Sequence, residues 1–212
     1  MTNIKAFSFN PFQTNTYLVW DDSKEAVIID AAMYSEEENQ RILNFINENS
    51  LKLKANICTH AHVDHIMGNA FIDEEFGLKP MMDESGKLFL ENAQEYASSF
   101  GLSIPKVIEA SEFISEGDEI KFGSMVLKVI STPGHADGSI CLHDKAGKNL
   151  FTGDVLFQSG IGRTDLPTGD FEILLRSIKE KLFKLEDDVK VYPGHGDSTS
   201  IGEEKMTNPY VE

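Results

Sequence analysis

The chain has 212 residues and a formal net charge of -16 at pH 7, with 41% hydrophobic residues and two cysteines. That length suits one domain spanning residues 1–212 with a sizeable core, and so acidic a balance argues against phosphate-backbone binding, which calls for a basic footprint. No apolar run approaches a membrane span and no N-terminal stretch has the basic and apolar regions of a signal peptide, so a cytoplasmic protein without nucleic-acid or membrane partners is expected.

Taken in order, Ile4 to Asn10, Thr16 to Trp20 and Ala26 to Ile29 read as strands punctuated by Asn-Pro and Asp-Asp turn signals. Glu36 to Asn49 carries Ile42, Leu43 and Ile46 at helical spacing. Ala55 to Thr59 is short and apolar enough for a buried strand, and Ile66 to Ile72 reads as the start of a helix or a loop into one. Glu84 to Phe100 predicts a more polar helix with Leu88, Phe89 and Ala93 as its buried stripe. Phe113 to Phe122 and Met125 to Ile130 are expected to pair around Gly123, and Ile140 to His143 with Asn149 to Phe151. Asp170 is a natural N-cap for a helix through Leu174, Leu175, Ile178 and Leu182. Val189 to Tyr192 is the last strand, and Lys205 falls in a short terminal helix. The pattern as a whole predicts an α/β or α+β fold of two packed sheets covered outside by helices. Cys58 and Cys141, both in apolar strand-like runs, read as buried thiols.

The chemistry concentrates in Thr59-His60-Ala61-His62-Val63-Asp64-His65, which holds three of the six histidines of the chain. Imidazole and carboxylate together suit zinc, manganese or iron. His60 and His62 can share one face of an extended segment, while Asp64 and His65 follow a turn, so one ion could not easily take all four. Further donors follow: His135 in Thr132-Pro133-Gly134-His135, Asp154 in Thr152-Gly153-Asp154, and His195 in Pro193-Gly194-His195-Gly196. Each ends an apolar run and has a glycine beside it that permits a tight turn. Five histidines and two aspartates can hold two divalent ions bridged by a carboxylate. His143 lacks such a setting and reads as a surface or strand histidine, Asp165 and Asp170 as turn and cap residues, and Tyr192 as core. Arg163 either approaches the site or forms an ion pair that fixes its loop.

The HxHxDH cluster and the TPGH, TGD and PGHG motifs, in that order, resemble the metallo-β-lactamase superfamily. Gly162-Arg163-Thr164-Asp165-Leu166-Pro167 is similar to the hydroxyacylglutathione hydrolase (glyoxalase II) branch. The resemblance implies a four-layer αβ/βα sandwich, with one metal held by His60, His62 and His135, a second by Asp64, His65 and His195, and Asp154 bridging. It further implies zinc as the first candidate metal, with iron or manganese as alternatives. Asp64 and Asp154 are then the catalytic carboxylates, and Arg163 and Lys205 the candidate substrate contacts. Longer glyoxalase II enzymes carry a C-terminal helical domain with basic glutathione contacts, whereas only Asp197 to Glu212 follow the last ligand here, with Lys205 as their lysine.

Two such ions, roughly 3.5–4 Å apart, would activate a shared water for attack on a carbonyl. A thiolate, with a pKa of about 8.5, then departs without an acid. The expectation is therefore hydrolysis of a small-molecule thioester such as S-D-lactoylglutathione or a related acyl-thiol. One rival is a mononuclear iron persulfide dioxygenase using His60, His135 and Asp154. Another is a non-catalytic metal-binding or redox-partner module.

Overall fold

The computed structural model describes residues 1–104 and 106–211. Strands β1 (Asn3–Phe9), β2 (Thr14–Trp20) and β3 (Glu25–Ile29) are followed by α1 (Glu36–Glu48), β4 (Lys52–Ile57), α2 (Val63–Ile66), α3 (Asn69–Phe76) and β5 (Pro80–Met82). Helices α4 (Lys87–Glu91) and α5 (Ala93–Ser99) come next, then β6 (Glu112–Phe113), β7 (Glu119–Phe122), β8 (Met125–Ser131), β9 (Ile140–Asp144) and β10 (Asn149–Gly153). A small hairpin, β11 (Leu156–Phe157) and β12 (Gly160–Ile161), precedes α6 (Phe171–Glu180), β13 (Lys190–Pro193), β14 (Thr199–Ser200) and α7 (Ile201–Thr207).

The first sheet runs β1-β2-β3-β4-β5-β6 and the second β14-β13-β10-β9-β8-β7. Pairing is antiparallel from β1 to β3 and parallel from β3 to β6. In the second sheet the parallel pair is β10 with β13. The sheets face each other across Val19, Ile29 and Ile57 on one side and Leu127, Leu142 and Phe151 on the other. Helix α1 covers the outside of the first sheet, seating Ile42 and Ile46 on Leu18 and Ile28. Helices α6 and α7 cover the second, with Leu174, Ile178 and Ile201 against Cys141, Leu150 and Val191. This is the four-layer order of helix, sheet, sheet, helix. Because both faces of β2, β9 and β10 are covered, those strands are buried almost continuously instead of alternating. No helix among the described residues is long and apolar enough to cross a membrane.

Local chemistry sets the helix ends. Ser35 and Glu38 form a reciprocal capping box at the start of α1, and Asp170 accepts from the Ile173 amide at 2.9 Å to begin α6. The two buried thiols are present as expected, and burial pushes both Cys58 and Cys141 up to about 12.

Two expectations need correction. The stretch from Glu84 to Phe100 is not one helix: a 3-10 turn over Glu84–Gly86 leads into α4, and the chain breaks at Asn92 before α5. The Asn92 amide donates to the Leu88 carbonyl at 2.7 Å and competes with helical continuation. The buried stripe becomes Phe89, Leu90, Ala93 and Ala97, leaving Leu88 exposed. Phe113 likewise does not join the strand ending at Phe122. It pairs with Met82 at the edge of the first sheet, and a turn held by Asp118, which accepts from the Ser115 amide at 2.8 Å, carries the chain to the second sheet.

Asp21, at the end of β2, ties the two sheets together. Its Oδ2 accepts from the Ser124 amide and Ser124 hydroxyl, both at 2.6 Å, and its Oδ1 from the Ser23 amide at 2.9 Å. These bonds, those of Ser124 foremost, hold the Asp21 carboxyl well below the usual carboxylate range. A depressed pKa contributes stability that is fully present above the unfolded value of about 3.9 and is lost as pH falls toward the folded one. Asp21→Asn is therefore expected to cost about 2 kcal/mol at neutral pH. Urea midpoints measured at neutral pH and near pH 3 should show the gap between the two proteins narrowing in acid; a gap independent of pH would contradict it.

Candidate metal centre

All the metal-ligand candidates lie beyond the carboxyl ends of strands. After β4 ends at Ile57 the chain stays extended through His60 to His62, which occupies the N-cap position of α2, and the first turn of that helix then presents Asp64 and His65. His135 comes from the loop between β8 and β9, Asp154 from the residue after β10, and His195 from just beyond β13. Backbone space is tight here. At Gly134, with φ of +125°, a β-carbon would lie 2.2 Å from the Leu174 amide nitrogen, and at Gly194 one would lie 2.1 Å from Asp154 Oδ1. Glycine at these positions lets α6 and the β13 loop close onto the ligand residues.

The structure brings the seven predicted donors together. His60, His62 and His135 form one group, Asp64, His65 and His195 another, and His60, His65 and Asp154 a third, each with its donor atoms within 4.8 Å of one another. Asp154 lies between the first two groups: Oδ1 is 3.3 Å from His65 Nε2, while Oδ2 is 3.4 Å from His195 Nε2 and 3.7 Å from His135 Nε2. Asp64 Oδ2 is 3.3 Å from His195 Nε2 and 3.5 Å from His65 Nε2.

Outer contacts decide which nitrogen each ring offers. His135 Nδ1 donates to the Arg163 carbonyl at 2.8 Å and His195 Nδ1 to the Phe12 carbonyl at 3.1 Å. His65 Nδ1 donates to Asp30 Oδ2 at 2.9 Å. The Thr59 hydroxyl donates to that same oxygen at 2.7 Å and so can accept from His60 Nδ1 at 3.2 Å. Four imidazoles thereby turn Nε2 inward, the tautomer control that orients metal-binding histidines. His62 differs, with its Nδ1 2.9 Å from His135 Nε2. Asp64 is oriented by the Thr14 hydroxyl, which donates to its Oδ2 at 2.7 Å.

Three observations show that this cluster fits a cation. His60 Nε2, His62 Nε2, His65 Nε2 and Asp154 Oδ1 are buried without a hydrogen-bond partner in the protein, a condition native interiors rarely tolerate. Burial, with neighbouring imidazoles, pushes His60 well below its ordinary value and His62 down to about 4, so both favour the neutral form that can ligate. Burial on its own would raise Asp64 and Asp154, yet the imidazoles outweigh it, lowering Asp64 to about 2 and holding Asp154 well below the carboxylate range. The carboxylates in turn raise His65, and raise His195 to about 9, against the opposing pull of burial. The centre thus draws positive charge between two partly buried carboxylates.

A cavity of about 420 Å³ opens onto His62, Asp64, His135, Asp154 and His195. Its remaining wall is mostly apolar, with Phe12, Phe89, Tyr96 and Phe100 the principal side chains. Arg163 reaches the rim, where Nε and Nη2 donate to the two Asp165 oxygens at 2.8 and 2.7 Å. Both readings of Arg163 therefore describe it: it lines the cavity and it is ion-paired. Lys205 is placed elsewhere, because α7 directs its ammonium to the Leu185 carbonyl and to Asp187 at 2.6 Å. His143 and Tyr192 belong to strands, as expected.

Sequence reasoning missed Asp30, Thr59 and Thr14 as supports of the centre, and Phe12 and Phe100 as its wall. Asp30 had a readable signal, an aspartate ending the apolar run Ala26 to Ile29 much as Asp154 ends Leu150 to Gly153. The aromatic wall had none, since Phe12 and Phe100 meet only through the fold.

A family model described as the metallo-beta-lactamase superfamily matches residues 9–195. The chain is 39% identical over 211 residues to the hydroxyacylglutathione hydrolase GloC of Haemophilus influenzae, covering 99% of this chain and 98% of that one. It is similar to the solved structure of the BLEG-1 B3 metallo-beta-lactamase, with a TM-score of 0.91, 33% identity and 99% of each chain covered. A di-iron-bound form of TTHA1623 superposes with a TM-score of 0.87 at 33% identity, over 97% of this chain and 99% of that one.

Proposed function

The chain belongs to the metallo-beta-lactamase superfamily, and from that premise we propose that it is a metal-dependent hydrolase of small-molecule thioesters, with S-D-lactoylglutathione or a related acyl-thiol as substrate. The observation that carries the reading is the complete donor set, two groups of three with Asp154 between them, at the floor of a cavity. His60, His62 and His135 would hold one divalent cation and Asp64, His65 and His195 the other, with Asp154 shared. Zinc suits these donors, and so do iron and manganese. Bound there, the cations supply an activated water and polarisation of the substrate carbonyl.

The side chains account for what the reaction does not use. Ser99 lines the cavity but its hydroxyl donates to the Tyr96 carbonyl at 2.7 Å, with no histidine or carboxylate to activate it. Within the cluster, every imidazole Nδ1 except that of His62 is already engaged with a hydroxyl, carboxylate or carbonyl oxygen. Among the described residues lining the cavity, no imidazole or carboxylate outside the donor set is left over as a proton donor to a poor leaving group, which suits a thiolate better than an amine or alkoxide. The likeness to GloC, which is named as a hydroxyacylglutathione hydrolase, supports the same class.

The test is metal analysis of the purified protein, with S-D-lactoylglutathione hydrolysis and oxygen uptake on glutathione persulfide followed in parallel. About two metals per chain with thioester cleavage and no oxygen uptake are expected. A single iron with oxygen uptake would replace the hydrolase with a dioxygenase.

A further inference from the structure

We propose that the arm of the substrate beyond its reacting carbonyl is apolar and uncharged, and that it seats against the aromatic wall of the cavity instead of presenting the carboxylates of a glutathione carrier. This deepens the hydrolase reading and rests on it for the chemistry. The seat itself rests on the geometry of the wall.

Phe12 follows β1 and Phe100 follows α5, and their rings meet edge to face with centroids 5.3 Å apart. Phe100 nevertheless remains 56% exposed. What sets this ring apart from the other exposed aromatics is its place in the cavity beside the donor cluster, where a flat or branched apolar group can cover it. Phe89 and Tyr96 continue the wall inward, tilted with centroids 6.0 Å apart, and Leu166 and Pro167 face them from the loop before α6.

Charge points the same way. Arg163 is the one lysine or arginine among the described residues lining this cavity, and its guanidinium is engaged twice by Asp165. A carboxylate arriving at the mouth must compete with Asp165 for that bidentate pair. Glutathione brings two carboxylates against one ammonium, toward a chain whose formal net charge is -16. Lys205 cannot help, being bound to Asp187.

The test compares two lactoyl thioesters, one of glutathione and one of benzyl mercaptan, on the metal-loaded enzyme. The benzyl thioester is expected to have kcat/KM higher by about tenfold or more, expressed through KM. Phe100→Ala should raise KM for the benzyl thioester by a factor several times larger than for the glutathione thioester, whereas Asp165→Asn, by freeing Arg163, should lower KM more for the glutathione thioester than for the benzyl thioester. Preference for the glutathione thioester, or an equal effect of Phe100→Ala on both, would overturn the proposal. Calorimetry with the inert thioether benzyl methyl sulfide supplies a readout independent of turnover. If neither thioester is cleaved the hydrolase reading fails, yet sulfide binding weakened by Phe100→Ala still supports the apolar seat, and absence of binding refutes it.

Discussion

Asp154→Ala is expected to reduce metal content from about two ions per chain to one or fewer and to lower kcat/KM by at least about 10³-fold, equivalent to about 4 kcal/mol of transition-state stabilisation. The reason is its position, with one oxygen facing His65 and the other facing both His135 and His195. No other side chain among the described residues spans the two donor groups through separate oxygens. Asp154→Asn keeps the shape and removes the charge, so it should lose metal almost as fully if the carboxylate charge is what matters. Elemental analysis beside steady-state kinetics checks both, and an Asp154→Ala protein with full activity and full metal would remove the bridging role.

Asp30→Ala should do damage of a different kind. Asp30 does not line the cavity at the donor cluster, is 1% exposed, and accepts from the Thr59 amide and Thr59 hydroxyl at 2.7 Å and from His65 Nδ1 at 2.9 Å. Its removal strands three buried donors, at a cost of about 3–5 kcal/mol in folding stability. It also frees the His65 ring to turn, which should weaken metal binding by about 10–100-fold. Urea unfolding in the presence of chelator isolates the first effect, and metal titration of the folded variant isolates the second. A variant as stable as the parent that binds metal equally well would show that His65 is held by its neighbours without Asp30.

These two residues also mark how far the sequence can be read. Asp154 announced itself through Thr152-Gly153-Asp154 after an apolar run, and the histidine cluster through sheer density, because a strand end followed by glycine is a local event visible in local sequence. Asp30 also ends an apolar run but has no glycine beside it, so its partners Thr59 and His65 stayed hidden. The fold class was legible for a similar reason: strand and helix periods are local, and the motif order matched a known superfamily. Leu88 and Phe113 were misread because their neighbours decide them. A single amide, that of Asn92, redirects the stripe away from Leu88, and Phe113 pairs with a strand in the other sheet. Phe12 and Phe100 lie far apart in the chain and meet at a wall that no window of sequence contains.

The division of donors between the sheets has a mechanical side. His60, His62, Asp64 and His65 follow β4 of the first sheet, whereas His135, Asp154 and His195 follow strands of the second, and the backbone bonds that join the halves at the cluster include the Thr14–His195 bridge, the Asn15 amide on the Gly194 carbonyl and the Ile140 amide on the Thr59 carbonyl. A cation taken up at this seam acts as a rivet between the halves of the sandwich, closing a long loop of chain as a cross-link does. Its binding energy is then also folding energy, about 2.7 kcal/mol when free metal stands at a hundred times its dissociation constant. Metal supply would then bear on how long the folded molecule lasts as well as on how fast it turns over.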